Sequence, residues 1–510
     1  MKSLWQKLHR ISDKLHLPNL PNWLIGILVL VFILRIPSFF EPYYYGDEMV
    51  YLTLGQGVRQ GLTLYKDIHD NKPPLLYLTA AVAGNLFWFK AILAFWNLIT
   101  IVIFYKLAKT LFDPPTPKAT EGHGKTIKLA TLLFGLLTTL PLLEGLTINS
   151  ELFMIGFTIL ALLILLNKNL NSKRIFFAGI LFGLGTLFKV PAVFDLPIIV
   201  FYWLITDSFA NWKKIFKDTL ILGTGFATPI LLTLVWYFFK GALPEYIRAA
   251  FLQNVGYLSS FRPGDVQKPF LVRNAPLLIR GLIVLAGSSI LYFFRRKLSP
   301  KFILFSLWTL FALFAITLSE RPYPHYFIQA AAPISFLLAT FFAEKSFEQS
   351  LTIIPLALVF FVPVFYRFWF YPTTSYYSRF INFAIHKETR AQYFSEFSST
   401  TNRDYEIAQF LVMSSKPSDR VFMWGPDSPA VYALAKRLPP IKYVVDYHII
   451  DYSTKALEAK NIAGNPPKFI ILTGNHPYLE LTPLIKQKYI LVNMVGDADI
   501  YARMDFAPGK

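Results

Sequence analysis

Long apolar runs separated by short charged loops fill the chain as far as residue 371, at 23–40, 88–110, 127–143, 151–167, 175–189, 190–207, 218–239, 275–294, 302–318, 327–343 and 351–371. Each is near the length a helix needs to cross the hydrocarbon core of a bilayer, which predicts about eleven spans. The stretch 75–111 is too long for one helix, so its first part, 74–84, reads as a helix lying along the outer surface. From about residue 401 the apolar runs shorten to strand length and alternate with amphipathic, charged segments. There 420–424, 441–447, 468–473 and 489–494 read as strands, with 499–503 a candidate fifth, and 402–415, 428–437, 453–463 and 478–486 read as helices. The pattern predicts a polytopic α-helical membrane protein with a C-terminal α/β domain at 401–510, joined through a Tyr-, Phe- and Ser-rich connector at 372–400.

The charges fix a predicted topology. Residues 1–22 carry Lys2, Lys7, Arg10 and Lys14 ahead of the first run, and no small-residue cleavage site follows, so the run reads as an uncleaved span with a cytoplasmic amino end. Counting onward, the basic loops at 106–128, Lys168/Lys173/Arg174, Lys213/Lys214/Lys217, Arg295/Arg296/Lys297/Lys301 and Lys345 all fall inside, as the positive-inside rule demands. The outer face then receives 41–87, 144–151, 240–274, 319–326 and everything beyond 371, including an extracytoplasmic C-terminal domain. A multi-pass protein of a plasma or inner membrane is the expectation.

Composition supports this reading: 54% of residues are hydrophobic and 17% aromatic, and the mean hydropathy is +0.43, too apolar for an ordinary soluble chain. The formal charge of +19 would point to nucleic acid in a soluble protein, but here it lies in the short loops, so topology accounts for it and no nucleic-acid partner is expected. The absence of cysteine excludes disulfides, thiolate catalysis and thiolate metal sites. Trp424-Gly425-Pro426 follows the first tail strand where a dinucleotide-binding fold would place its glycine fingerprint. No internal repeat marks a transporter built of paired halves.

Four outer segments carry chemistry. Gly46-Asp47-Glu48 opens a short amphipathic helix over 49–57, so Asp47 lies at or near a helix N-terminus; it reads as a cap, or as a carboxylate kept ionised by the helix dipole and able to act as a base. Glu48 is either a metal ligand or a first-turn charge. In His69-Asp70-Asn71-Lys72-Pro73-Pro74 the two prolines hold the backbone extended, which presents the Lys72 ammonium to a phosphate or to lipid headgroups. The third segment, 144–151, offers Asn149 as a helix cap and Glu151 as a first-turn charge, or both as ligands for a sugar or metal. The fourth, Arg321-Pro322-Tyr323-Pro324-His325-Tyr326, combines phosphate donors with His325, which can also ligate a metal. Lys189, between two closely spaced spans, is either a snorkelling anchor or a site residue. Asp427, Tyr432, Asp446 and His448 in the tail read as fold residues.

At Tyr45-Gly46-Asp47-Glu48, Asn71-Lys72-Pro73-Pro74, Asn149-Ser150-Glu151 and Arg321 to Tyr326 the chain resembles the GT-C superfamily of lipid-phosphosugar-dependent glycosyltransferases. The likeness is to the branch holding protein O-mannosyltransferases and the lipid A aminoarabinose transferase, and it covers roughly residues 23–371. The resemblance implies a GT-C-like catalytic domain with a polyprenyl-phosphate monosaccharide as donor, and a lipid, glycan or protein hydroxyl as acceptor, with inversion at the anomeric carbon. It makes Asp47 the general base and gives the donor phosphate to Lys72, Arg321 and Tyr326, with Glu48, Asn149, Glu151, His325 and Lys189 as further site candidates. A divalent cation is left open, with Glu48 and His325 its candidate ligands. The competing readings are a transporter or flippase for a lipid-linked glycan and a membrane-anchored glycan-binding protein. The first would need charges along a path at mid-bilayer, where these runs carry almost none; the second leaves the loop motifs without a purpose.

Overall fold

The structure, a computed structural model, describes residues 20–112, 120–207, 211–256, 268–474 and 476–506. The basic residues at the amino end, part of the 106–128 loop and the centre of the 240–274 loop lie outside the described residues.

Every predicted apolar run coincides with a helical segment. Among the described residues seven are long and apolar enough to cross a membrane: Asn22–Phe40, Leu86–Phe112, Trp212–Phe239, Phe270–Phe294, Pro300–Thr317, Pro324–Ala343 and Phe347–Phe365. Ser150–Leu165 and Val190–Thr206 are shorter apolar helices, and Thr120–Leu137 and Ser172–Phe188 complete the bundle. The protein is a multi-pass membrane protein. Burial separates inner from outer helices: 78% of the Pro300–Thr317 window is buried, against 17% for Trp212–Phe239, whose Leu232 and Phe239 are exposed as lipid-facing residues are. Where Ser172–Phe188 crosses Trp212–Phe239, a Cβ on Gly179 would lie 2.2 Å from the Leu222 carbonyl oxygen, so the backbones meet through small residues.

The segments predicted for the outer face do meet at one end of the bundle. Lys66 donates to the Gly241 carbonyl at 3.2 Å, Asn254 to the Asn71 carbonyl at 2.8 Å, and the Tyr43 amide to the Tyr405 hydroxyl at 3.3 Å. The predicted inner loops pair among themselves, with Lys301 on Glu344 at 2.6 Å and the Ser299 hydroxyl on Glu348 at 2.7 Å. The surface helix forms over Leu75–Ala83 and ends on Gly84 with a left-handed φ of 71°. The connector is itself structured as the helices Thr373–Ala384 and Arg390–Ser395. Its Tyr376 hydroxyl reaches Glu41, and Phe397 packs on Tyr44 at 4.8 Å.

The tail carries one four-stranded sheet of β1 (Val421–Trp424), β2 (Phe469–Thr473), β3 (Tyr489–Val495) and β4 (Ala498–Arg503), in the order β1-β2-β4-β3. β1 and β2 are parallel, with Val421 opposite Phe469; β4 runs antiparallel to both β2 and β3. Alternation along β1 sends Val421 and Met423 into the large core shared with the bundle, and Phe422 and Trp424 into a second, smaller core. The large core runs from the spans into the Ser428–Ala435 helix without a break. The expected strand at 441–447 does not form. Its β-branched Val444 and Val445 favour extension, but Pro439 and Pro440 precede it without backbone donors. Its one bridge, from Tyr443, goes to His69 of the outer loop rather than to the sheet, and Asp446–Tyr452 is a helix. The predicted helix at 478–486 starts as a 3₁₀ turn at Leu479–Leu481 and continues over Thr482–Lys488.

Candidate active site

Asp47 lies in the first turn of the Gly46–Arg59 helix, two residues inside the cap position held by Tyr45. Its side chain does not cap. Oδ2 accepts from the Tyr51 hydroxyl at 2.8 Å, one turn on, and from the Lys72 ammonium at 3.3 Å. Oδ1 has no hydrogen bond among the described residues, and the side chain is 36% exposed. Partial burial pushes the Asp47 carboxyl up, but the Lys72 charge, the Tyr51 hydroxyl and nearby His325 outweigh it and bring the pKa down to about 2. The group is an ionised carboxylate with one oxygen anchored and the other open.

Lys72 is fixed through its backbone. Its N–H donates to the Tyr77 hydroxyl at 3.0 Å, and its carbonyl accepts from Tyr65 at 2.9 Å. The ammonium also lies 4.8 Å from the centre of the Tyr51 ring.

The third and fourth motifs interlock. Buried Arg35 donates to the Thr138 carbonyl at 2.8 Å and the Gly145 carbonyl at 2.9 Å, closing the turn that carries Glu144 at φ 57°. Oε2 of Glu144 accepts from Asn149 at 3.0 Å and from Tyr45 at 3.3 Å, and meets Nδ1 of His325. Asn149 occupies the cap position of the Ser150–Leu165 helix without capping it, and its side-chain N–H donates to Glu144 instead. His325 Nε2 is 3.8 Å from Glu151, which is ion-paired with Lys189. Lys189 sits 4.0 Å over the Tyr326 ring, so its ammonium is held between Glu151 and Tyr326. Burial lowers the Lys189 pKa against the pull of Glu151, and Lys72 pushes the same way, as expected of two ammonium groups sharing one electrostatic neighbourhood.

Glu48 and Arg321 have surroundings of their own. Glu48 is fully buried: Oε1 accepts from Lys90 at 2.6 Å and from the Ile148 N–H at 2.6 Å. Lys90 completes its three donors with Glu41 at 2.7 Å and the Leu146 carbonyl at 3.0 Å. Glu48 thus ties the helix carrying Asp47 to the turn carrying Glu144. Arg321 is exposed on its loop, next to Glu320, which pairs with Arg280. Glu48 and His325, the candidate metal ligands, are committed to different partners, and among the described residues no three His, Asp or Glu side chains form a group suited to a metal ion.

An apolar groove of about 550 Å³ opens between spans and is lined by Trp88, Ile92, Phe95, Trp96, Phe153, Phe157 and Phe188, the residue before Lys189. Sequence reasoning missed Glu144 as the hub of the third motif, Tyr51 as the anchor of Asp47 and Lys90 as the partner of Glu48. It also missed that tail residue His448 approaches Asp70. Only Tyr51 carried a usable signal, an aromatic hydroxyl four residues after Asp47.

The bundle and the appended sheet make a multi-pass helical membrane fold with a small α/β unit, and solved structures share it. Among solved structures, ArnT from Cupriavidus metallidurans bound to undecaprenyl phosphate aligns with a TM-score of 0.58 at 14% identity, over 96% of this chain and 99% of that one. The apo state of the same protein aligns with a TM-score of 0.54, at the same identity and coverage. AglB from Archaeoglobus fulgidus, in complex with an inhibitory peptide and a dolichol-phosphate, aligns at 0.44 and 13% identity over 96% of this chain and 75% of that one, too distantly to bear on the site. No family model matches the chain, and no curated protein matches it in sequence.

Proposed function

We propose that the protein is a membrane glycosyltransferase that moves a monosaccharide from a polyprenyl-phosphate donor to an acceptor hydroxyl at the outer face of a plasma or inner membrane. The observation that carries this is the asymmetry of Asp47. Oδ2 is held by Tyr51 and Lys72 while Oδ1 stays open, the arrangement a general base needs to take a hydroxyl proton. Lys72 pairs with it at 3.3 Å, and Lys189, over the Tyr326 ring, feels the charges of both Lys72 and Asp47, so the two ammonium groups could receive one phosphate. The groove, with Phe188 in its lining one residue before Lys189, offers apolar surface for a prenyl chain. The fold neighbour ArnT is bound to undecaprenyl phosphate, which supports the same donor class.

In this reading Asp47 accepts the proton as the acceptor oxygen bonds to the anomeric carbon. The bond from that carbon to the phosphate oxygen breaks, and its electron pair leaves on polyprenyl phosphate. Charge grows on the departing phosphate, where the two ammonium groups are preorganised to meet it. A single displacement of this kind inverts the anomeric centre. Glu144, His325 and Glu151 hold the cationic side of the site in register, and Arg321 lies on the loop at its edge.

Purified protein in proteoliposomes, given radiolabelled undecaprenyl-phosphate sugars, tests the reading. Wild type is expected to transfer or hydrolyse the label, and Asp47→Asn to lose about 10²–10⁴-fold in rate while still binding donor. Undiminished turnover by Asp47→Asn, or donor binding without turnover by wild type, contradicts it.

A further inference from the structure

The segment that presents Lys72 is gripped from the C-terminal domain. The His69 N–H donates to the Lys442 carbonyl at 2.9 Å. The His69 ring is boxed by Tyr443, Tyr452 and His448, with centroids at 5.3, 5.2 and 5.8 Å. The Asn71 side-chain amide donates to the Tyr452 hydroxyl at 2.9 Å. His448 Nε2 faces Asp70 Oδ1 at 3.4 Å. The other oxygen of Asp70 accepts the Tyr77 hydroxyl at 2.7 Å, and that hydroxyl in turn accepts the Lys72 N–H at 3.0 Å. Two polar routes, from His448 through Asp70 and Tyr77 and from Tyr452 through Asn71, therefore end on the backbone of Lys72.

We infer that Tyr452 and His448 are positioning residues for Lys72, so that the C-terminal domain is a working part of the donor site rather than an appended module. The inference rests on the reading that Lys72 receives the donor phosphate.

Docking alone would not require this chemistry. Asp70 and His448 are 3% and 2% exposed, and placing a carboxylate and an imidazole at an interface is unfavourable unless each is directed at a partner. Apolar side chains would bind the domain as well, without fixing a direction. Burial brings the His69 pKa down to about 3 and lowers that of His448, so both rings are neutral at neutral pH. Nδ1 of His448 is buried without a partner among the described residues, which places its single proton on Nε2, toward Asp70. The demand for precision is set by the chemistry, since a misplacement of about 1 Å in a positioning group costs about 100-fold in rate.

The test uses the full chain in lipid nanodiscs and reads the position of Lys72 without substrate. Trace labelling with acetic anhydride, quantified by mass spectrometry, reports the reactivity of the Lys72 amine, and undecaprenyl phosphate is the binding probe. Tyr452→Phe and His448→Leu are each expected to raise Lys72 labelling and weaken undecaprenyl phosphate binding by about 5-fold, the scale of one lost directional contact. His448→Gln keeps an N–H donor toward Asp70 and is expected to return both values toward wild type. Tyr478→Phe removes a tail hydrogen bond to the Lys455 carbonyl, at 2.8 Å, that does not face the loop, and should leave both unchanged. Tyr452→Phe keeps its ring and supplies a folded variant if His448→Leu does not fold. Unchanged Lys72 labelling in folded Tyr452→Phe, or an equal rise in Tyr478→Phe, overturns the inference. Because labelling needs neither donor nor turnover, it decides this point even if the glycosyl-transfer reading fails, which would show instead as wild type neither binding undecaprenyl phosphate nor turning over donor.

Discussion

Replacing Lys90 with methionine tests what holds the catalytic helix in place. Lys90 is 1% exposed and its three N–H donors are all used, on Glu41, Glu48 and the Leu146 carbonyl. Methionine fills much of the same volume but leaves two carboxylates, with 3% and 0% exposure, facing each other without a counterion. Breaking a buried pair by removing one partner costs about 3–5 kcal/mol. Extending the size scaling of thermal midpoints to a chain this long, that is a fall of about 3–10 °C at neutral pH or above. Burial and the Glu41 charge already raise the Glu48 pKa to about 7 against the pull of Lys90. A carboxyl whose folded pKa lies above its unfolded value stabilises most at low pH, and that contribution fades as pH rises from the unfolded value of 4.5 through about 7. Without Lys90 the Glu48 carboxyl rises further, so the deficit of the variant should be small at pH 5, where Glu48 is protonated, and largest at pH 8. Midpoints from fluorescence-detected size exclusion after heating, taken at both pH values, check this. Adding Glu48→Gln to Lys90→Met should recover part of the loss at pH 8. An unchanged midpoint at pH 8, or a deficit independent of pH, would refute the reasoning.

Gly55→Ala places a Cβ 2.6 Å from the Ala81 amide nitrogen, where the Gly46–Arg59 and Leu75–Ala83 helices cross, and should cost about 1–3 kcal/mol in thermal stability by displacing the helix that carries Asp47. With its pKa near 2, Asp47 stays ionised throughout mild acid, and the stability it adds above its unfolded pKa of 3.8 is lost only as pH falls through about 2. In Lys72→Gln the lost attraction across 3.3 Å, about 1 kcal/mol once solvent screening is allowed for, should move the acid limb of kcat/KM up by about one pH unit, as a rate profile in proteoliposomes would show. Lys189→Met should weaken undecaprenyl phosphate binding about 10-fold in a direct titration, since it removes one of the two ammonium groups beside Asp47. Ala91→Trp fills the groove from its wall and should raise KM for a long-chain prenyl donor while sparing a short-chain analogue.

The bundle was legible because a bilayer forces long apolar helices and sorts lysine and arginine to one side, so each run reappears as a helix. The Asp47 and Lys72 motifs were legible for a local reason: glycine, helix start and paired prolines constrain the backbone wherever the rest of the chain lies. Partnerships between distant residues were not. Nothing in the sequence pairs Glu48 with Lys90, 42 positions away, and so Glu48, a first-turn charge as one of its two readings had it, kept a metal-ligand reading beside that one. Glu144 looked like the first residue of a loop, and only its left-handed backbone and the Arg35 clamp turn it toward His325. At 441–447 the local preference for a strand was overridden by contacts with the outer loop, and the same contacts bring His448, which read as a fold residue, to Asp70.

A structure of the protein with undecaprenyl phosphate bound tests the central claim most directly. The account predicts the phosphate within about 3 Å of the Lys72 ammonium, the prenyl chain in the groove beside Phe188, and the free oxygen of Asp47 still open toward the space an acceptor would enter. A phosphate bound away from Lys72 and Lys189, with the Asp47 carboxylate turned from it, would contradict the account.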